Sequence, residues 1–160
     1  FLLLIFFLVT TTILNETGIR VILPVWEEQP IHQTISGKNV LTILVNSNDE
    51  LLVEKEKANV HNLRERTKEF IMNPAGLATL PSNPNVAVVS LQNDRGTSYQ
   101  KYLEVYNEVK AAYNELWETA AQRRFGKSYK DLTSVDRQDI RKDIPLVISE
   151  AEPTDFGKGK

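Results

Sequence analysis

The chain opens with FLLLIFFLVTTTIL, fourteen residues without a charge in which only Thr10, Thr11 and Thr12 are polar. Apolar side chains would run all round a helix built on it, leaving no amphipathic stripe to lay on a core. Such a helix is about 21 Å long at 1.5 Å per residue, short of the roughly 30 Å of bilayer hydrocarbon. The segment 1–14 therefore reads as the second half of a membrane-spanning helix whose first half precedes Phe1. A signal-peptide core has similar length, but the following LNETGIRVILP supplies no convincing small-residue cleavage site. A buried core helix is the other alternative. No Lys or Arg occurs before Arg20, and an end poor in basic residues prefers the non-cytoplasmic side. Everything after Leu14 is thus expected outside the cytoplasm, and the absence of cysteine is compatible with an oxidising periplasm.

Residues 15–37 carry Gly18, Pro24, Pro30 and Gly37, with no stretch long enough for a helix. Within them Ile19, Val21 and Leu23 alternate with Arg20 and Ile22 and stop at Pro24. That is a short extended segment able to pair along one sheet edge, since proline ends a ladder. Pro24 and Pro30 bracket VWEEQ, a tether of limited flexibility. Two readings stand: a passive linker, or a strand with Val21, Leu23 and Pro24 that docks conditionally on the domain or a sister subunit.

A folded domain is expected over residues 38–151, with a polar tail over 152–160. VLTILV at 40–45 predicts a strand, the cluster Asn46–Asp49 a turn, and Leu51–Val53 a second strand closing a hairpin. The run Glu54–Lys57 reads as the solvated face of that hairpin. Leu63, Thr67, Phe70 and Ile71 mark a helix face ended by Asn73-Pro74. Residues 75–85 form a loop, and VAVVSL at 86–91 predicts a central strand. Tyr102, Tyr106, Val109, Tyr113, Leu116 and Ala120 then step along one face of a long helix, widened by Leu103 and Trp117. Thr97 with Gln100 fits its capping box and Gly126 its stop, with Arg123 and Arg124 favourable in the last turn. Thr133 with Asp136 opens a short, mostly charged helix reaching Ile140 and Ile144, and Leu146–Ile148 predicts a last strand. The order implies an α+β domain of two layers, helices on one face of a small mixed sheet.

Catalytic signatures are missing. His32 and His61 have no second ligand at metal spacing, and no GxSxG, P-loop or HExxH occurs. Asp94 follows a strand and precedes a helix, a place where enzymes put acids, although a lone aspartate there more often forms a turn or supports the helix terminus. With 19 Lys plus Arg against 21 Asp plus Glu, the net charge of −2 lacks the basic excess of a nucleic-acid binder. The chain reads as a membrane-tethered, non-enzymatic domain without cofactor or metal.

The pieces together resemble the biopolymer transport protein family of ExbD and TolR. FLLLIFFLVTTT resembles the second half of that family's single transmembrane helix, and Val21-Ile22-Leu23-Pro24 its V-x-L-P signature beyond the membrane. Asp94 with Tyr99, spaced D-x4-Y after VAVVSLQN, resembles the pattern that opens its long helix. The segment FGKSYKDLTSVDRQDIRKD is longer than in a typical member. The resemblance implies an inner-membrane protein of Gram-negative bacteria with a periplasmic domain. It implies a transmembrane helix inside a ring of an ExbB- or TolQ-like polytopic subunit, and a homodimer within that complex. It implies a proton-carrying aspartate early in that helix, which aligns just upstream of Phe1. Proton motive force would then be turned into work on a TonB- or TolA-like protein. Thr10, Thr11 and Thr12 are candidates for the outer proton path, or bond back to their own helix carbonyls. The alternative function is a membrane-anchored periplasmic scaffold or cell-wall-binding protein.

Overall fold

The computed structural model describes residues 1–10 and 36–150. Leu2–Thr10 form helix α1, and Phe1 to Phe7 are exposed along it. Among the described residues no helix is long and apolar enough to cross a membrane. The tether with Val21, Leu23 and Pro24, together with Thr11 and Thr12, lies outside the described residues, as does the tail from 151.

From Gly37 onward the fold is an α+β arrangement of the expected kind. Strands β1 (Val40–Val45), β2 (Leu51–Val53), β3 (Glu56–Lys57), β4 (Val88–Asn93) and β5 (Ile148–Glu150) form one mixed sheet ordered β3-β2-β1-β4-β5. The β1–β2 and β2–β3 pairs are antiparallel, whereas β1–β4 and β4–β5 are parallel. Helices α2 (Val60–Met72), α3 (Tyr99–Phe125) and α4 (Ser134–Asp143) provide the second layer. Burial alternates along β1, so Leu41, Ile43 and Val45 enter the core while Val40, Thr42 and Leu44 stay on the open face. Val89 and Leu91 of β4 and Leu63, Phe70 and Ile71 of α2 join them.

Several local expectations shift. The central strand begins at Val88, because Pro84–Val86 form a 3-10 turn whose Asn83 carboxamide accepts from Asn85 N. The last strand begins at Ile148 instead of Leu146, in register with Val89. Glu56 and Lys57 add a strand that sequence reasoning missed. Glu54 and Lys55 both take left-handed φ (53° and 70°), which folds the EKEK run back as a tight hairpin. The predicted solvated character holds, since all four are exposed.

Helix α3 has the predicted length of about 40 Å but not the predicted cap. Ser98, not Thr97, is the N-cap, accepting from Lys101 N, because Thr97 is engaged elsewhere. Gly126 ends the helix at φ 62°, with Arg123 and Arg124 in the last turn. The buried stripe is rotated toward Val105, Val109, Ala112, Tyr113, Leu116, Trp117 and Ala121, leaving Tyr102, Tyr106 and Ala120 at its margin. Arg64 of α2 bridges to α3, gripping Glu108 with two nitrogens at 2.9 and 3.1 Å and Glu115 at 2.8 Å.

The segment after Gly126 folds back onto α3. Trp117, 5% exposed, donates its indole N–H to the Ile144 carbonyl at 2.9 Å. Tyr129 stacks on Trp117 at 5.6 Å, and the Arg141 guanidinium lies 4.9 Å from the Trp117 ring. Arg141 also donates to the Tyr129 hydroxyl at 2.8 Å. Thr133 caps α4 with Asp136, and Ile140 is buried as expected. Glu118 accepts from Tyr129 N at 2.9 Å and Ser128 Oγ at 3.1 Å. The Tyr129 N–H, then Gln122, hold its carboxyl below the ordinary 4.5. A depressed folded-state pKa contributes stability that is present above the unfolded value and lost as pH falls through the folded one. Unfolding midpoints should therefore drop below about pH 4.5, and E118Q should flatten that slope in denaturant titrations at pH 3 and pH 6.

Candidate functional site at the amino-terminal end of the long helix

The carboxyl ends of β1 and β4 lie side by side because the two strands are parallel and in register, Val45 opposite Asn93. Two loops leave from there and clasp each other. In the first, Asn46 Oδ1 accepts from Asn48 N at 3.0 Å and Glu50 N at 2.9 Å, a side-chain-closed turn. Asp49 then takes a left-handed φ of 60°. In the second, Asp94 N donates to the Val45 carbonyl at 3.0 Å, and Thr97 N donates to the Asp94 carbonyl at 3.1 Å. The Thr97 hydroxyl faces the carbonyls of Val45 and Asn46 at 2.9 and 3.1 Å. Ser98 N donates to Asp49 Oδ1 at 2.8 Å. That bond, with the Ser98 hydroxyl, holds the Asp49 carboxyl below its ordinary value.

Gly96 sits where these loops come closest. A Cβ there would lie 2.7 Å from the Ser47 Cβ and 3.3 Å from its Cα. Asp94, 6% exposed, is therefore a turn residue inside a packed junction. Tyr99 opens the helix and is 73% exposed. Its ring stacks on Tyr102 at 6.4 Å, Tyr102 on Tyr106 at 6.0 Å, and Lys110 lies 5.5 Å from the Tyr106 ring. Burial, then the charge and hydrogen bond of Glu150, push the Tyr102 hydroxyl up to about 12. Asp94 and Tyr99 thus occupy one junction with different tasks, one in the clasp and one at the start of a tyrosine ladder.

The middle ring of the ladder, Tyr102, meets Glu150 of β5. One side of β5 is paired with β4, and the other has no strand beside it among the described residues. At the opposite edge, β3 is two exposed charged residues long, a short charged edge of the kind that resists pairing. No group of three or more His, Cys, Asp or Glu able to hold a metal occurs among the described residues. His61 is exposed in the first turn of α2, its backbone N–H donating to the Asn59 side chain. His32 lies outside the described residues. What the junction presents is a surface for contact, with aromatic faces, the carboxylates of Asp49 and Glu150 and a strand edge. Sequence reasoning missed Asp49, Ser98 and Glu150 here.

No curated protein matches the chain. The family model described as biopolymer transport protein ExbD/TolR matches residues 1–120, from the apolar helix through most of α3. With three quarters of its length inside that match, this chain belongs to the ExbD/TolR family of biopolymer transport proteins.

Proposed function

We propose that this chain is the single-span subunit of a proton-driven motor in the bacterial inner membrane, with its α+β domain in the periplasm. Family membership makes it a protein of biopolymer transport, and the match that begins at residue 1 supports the finer reading. In that reading the segment 1–14 ends a span seated in a ring of ExbB- or TolQ-like subunits, two copies together. The domain passes work to a TonB- or TolA-like protein that energises outer-membrane transport.

The proton-carrying aspartate of this reading precedes Phe1, and no carboxylate within the chain substitutes for it. A carboxylate in hydrocarbon is costly when charged, so protonation changes where the helix prefers to sit. One charge moved through the potential is worth about 2.3 kcal/mol per 100 mV, enough to bias a rotary step. Thr10, Thr11 and Thr12 hydrogen-bond water at the periplasmic mouth. Val21, Leu23 and Pro24 form the strand that docks and releases, controlling access to the sheet edge.

The deciding experiment is co-expression of the full-length protein with a candidate polytopic partner, followed by purification in detergent. Stable co-purification supports the motor. A folded protein that emerges alone favours the periplasmic anchor or scaffold instead. Replacing Thr10, Thr11 and Thr12 together by valine should lower energised uptake while leaving co-purification intact. Undiminished coupling would remove the threonines from the proton path.

A further inference from the structure

The segment beyond residue 120, outside the family match, builds a cleft of about 340 Å³ between the end of α2, the Pro84 turn, α3 and α4. Met72, 39% exposed, and Ala120 supply apolar lining, with Ile140 and Ile144 behind the surface at 0% and 6% exposure. The rim is charged. Arg124 is paired with Asp143, so those two cancel. Arg123, exposed on the same helix turn, has no ion-pair partner among the described residues and leaves the rim net positive.

We propose that this cleft binds a small carboxylate carried on a compact apolar stem. The stem rests on Met72 and Ala120 above the buried Ile140 and Ile144, and the carboxylate meets Arg123 at the rim. A guanidinium presents its donors in a fork that matches a carboxylate. An apolar enclosure with a few placed polar groups is the usual form of a small-molecule site, and the volume falls at the small end of that range. The volume is too small to seat a whole helix. Because α4 supplies one wall, the site belongs to the extension.

The test uses full-length protein in lipid nanodiscs, labelled at isoleucine methyls, titrated with 3-phenylpropionate. Its neutral amide and acetate serve as controls for the charge and the stem. Saturable shifts confined to the Ile140 and Ile144 methyls are expected with the acid, about tenfold weaker binding with the amide, and none with acetate. R123Q should bring the acid down to the affinity of the amide and leave the amide unchanged; because Arg123 is exposed, the variant keeps its fold. Equal affinity for acid and amide, or an acid affinity untouched by R123Q, overturns the proposal. So does the absence of saturable shifts up to about 10 mM.

Discussion

Truncation of Trp117 to alanine should lower the unfolding free energy by about 3–5 kcal/mol. Three losses combine at that position. The indole is nearly fully buried, so its removal leaves a cavity between α3 and the segment that returns to it. The Ile144 carbonyl loses its indole donor, and a buried acceptor without a partner is itself costly. Tyr129 and Arg141 lose the ring that both rest on. W117F separates these contributions, since phenylalanine fills part of the volume and stacks on Tyr129 but cannot donate. Hydrogen exchange should show the damage unevenly. Amides of α4 should lose protection in W117A well before those of β1 and β4, which are held by their own parallel ladder. Uniform loss across the sheet would show that α4 is not held chiefly by this residue.

Substitution of Gly96 is the second large effect expected, for a different reason. Nothing there depends on a special backbone angle; the difficulty is space. A methyl group at Gly96 overlaps the Ser47 side chain and crowds its backbone, so two loops must part or strain. G96A should cost about 1–3 kcal/mol, and G96V more, with chemical denaturation as the measure. G37A is the control, because a Cβ at Gly37 meets nothing within 4 Å, and should be close to neutral. Adding S47G to G96A removes the nearer obstacle and should recover part of the loss, leaving only the backbone of residue 47 at 3.3 Å. An unchanged stability in G96A would mean that the clasp between these loops is looser than its hydrogen bonds suggest.

The parts of this fold legible from sequence are those set by local chemistry. VLTILV, the Asn46–Asp49 turn, the Asn73 and Gly126 helix ends and the Thr133 cap each follow from residues within a few positions. Register is not local. Val88 rather than Val86 opens its strand because Val40 is its partner. Thr97 looked like a cap because its distant acceptors, the carbonyls of Val45 and Asn46, are invisible along the chain. The long helix misled in a physical way. Counting tyrosines as apolar placed Tyr102 and Tyr106 at the centre of its stripe, whereas an aromatic with a polar tip is equally at home on a margin. Tyr99 stood out by family resemblance alone, and Asp94 also by its place between a strand and a helix. Their geometry shows why the motif has two ends, a residue enclosed in the loop junction and a residue displayed beyond it. The cleft was out of reach, since Met72, Ala120 and Ile140 share no pattern until the chain has folded.

The unequal edges of the sheet fix how it can be joined. With β3 reduced to two charged residues and β5 unpaired on one side among the described residues, the sheet is monovalent. A sheet with one pairing edge can join a copy of itself edge to edge, and the pair then ends on β3 at both sides. Association through backbone pairing must therefore stop at a closed unit instead of running on as a fibre.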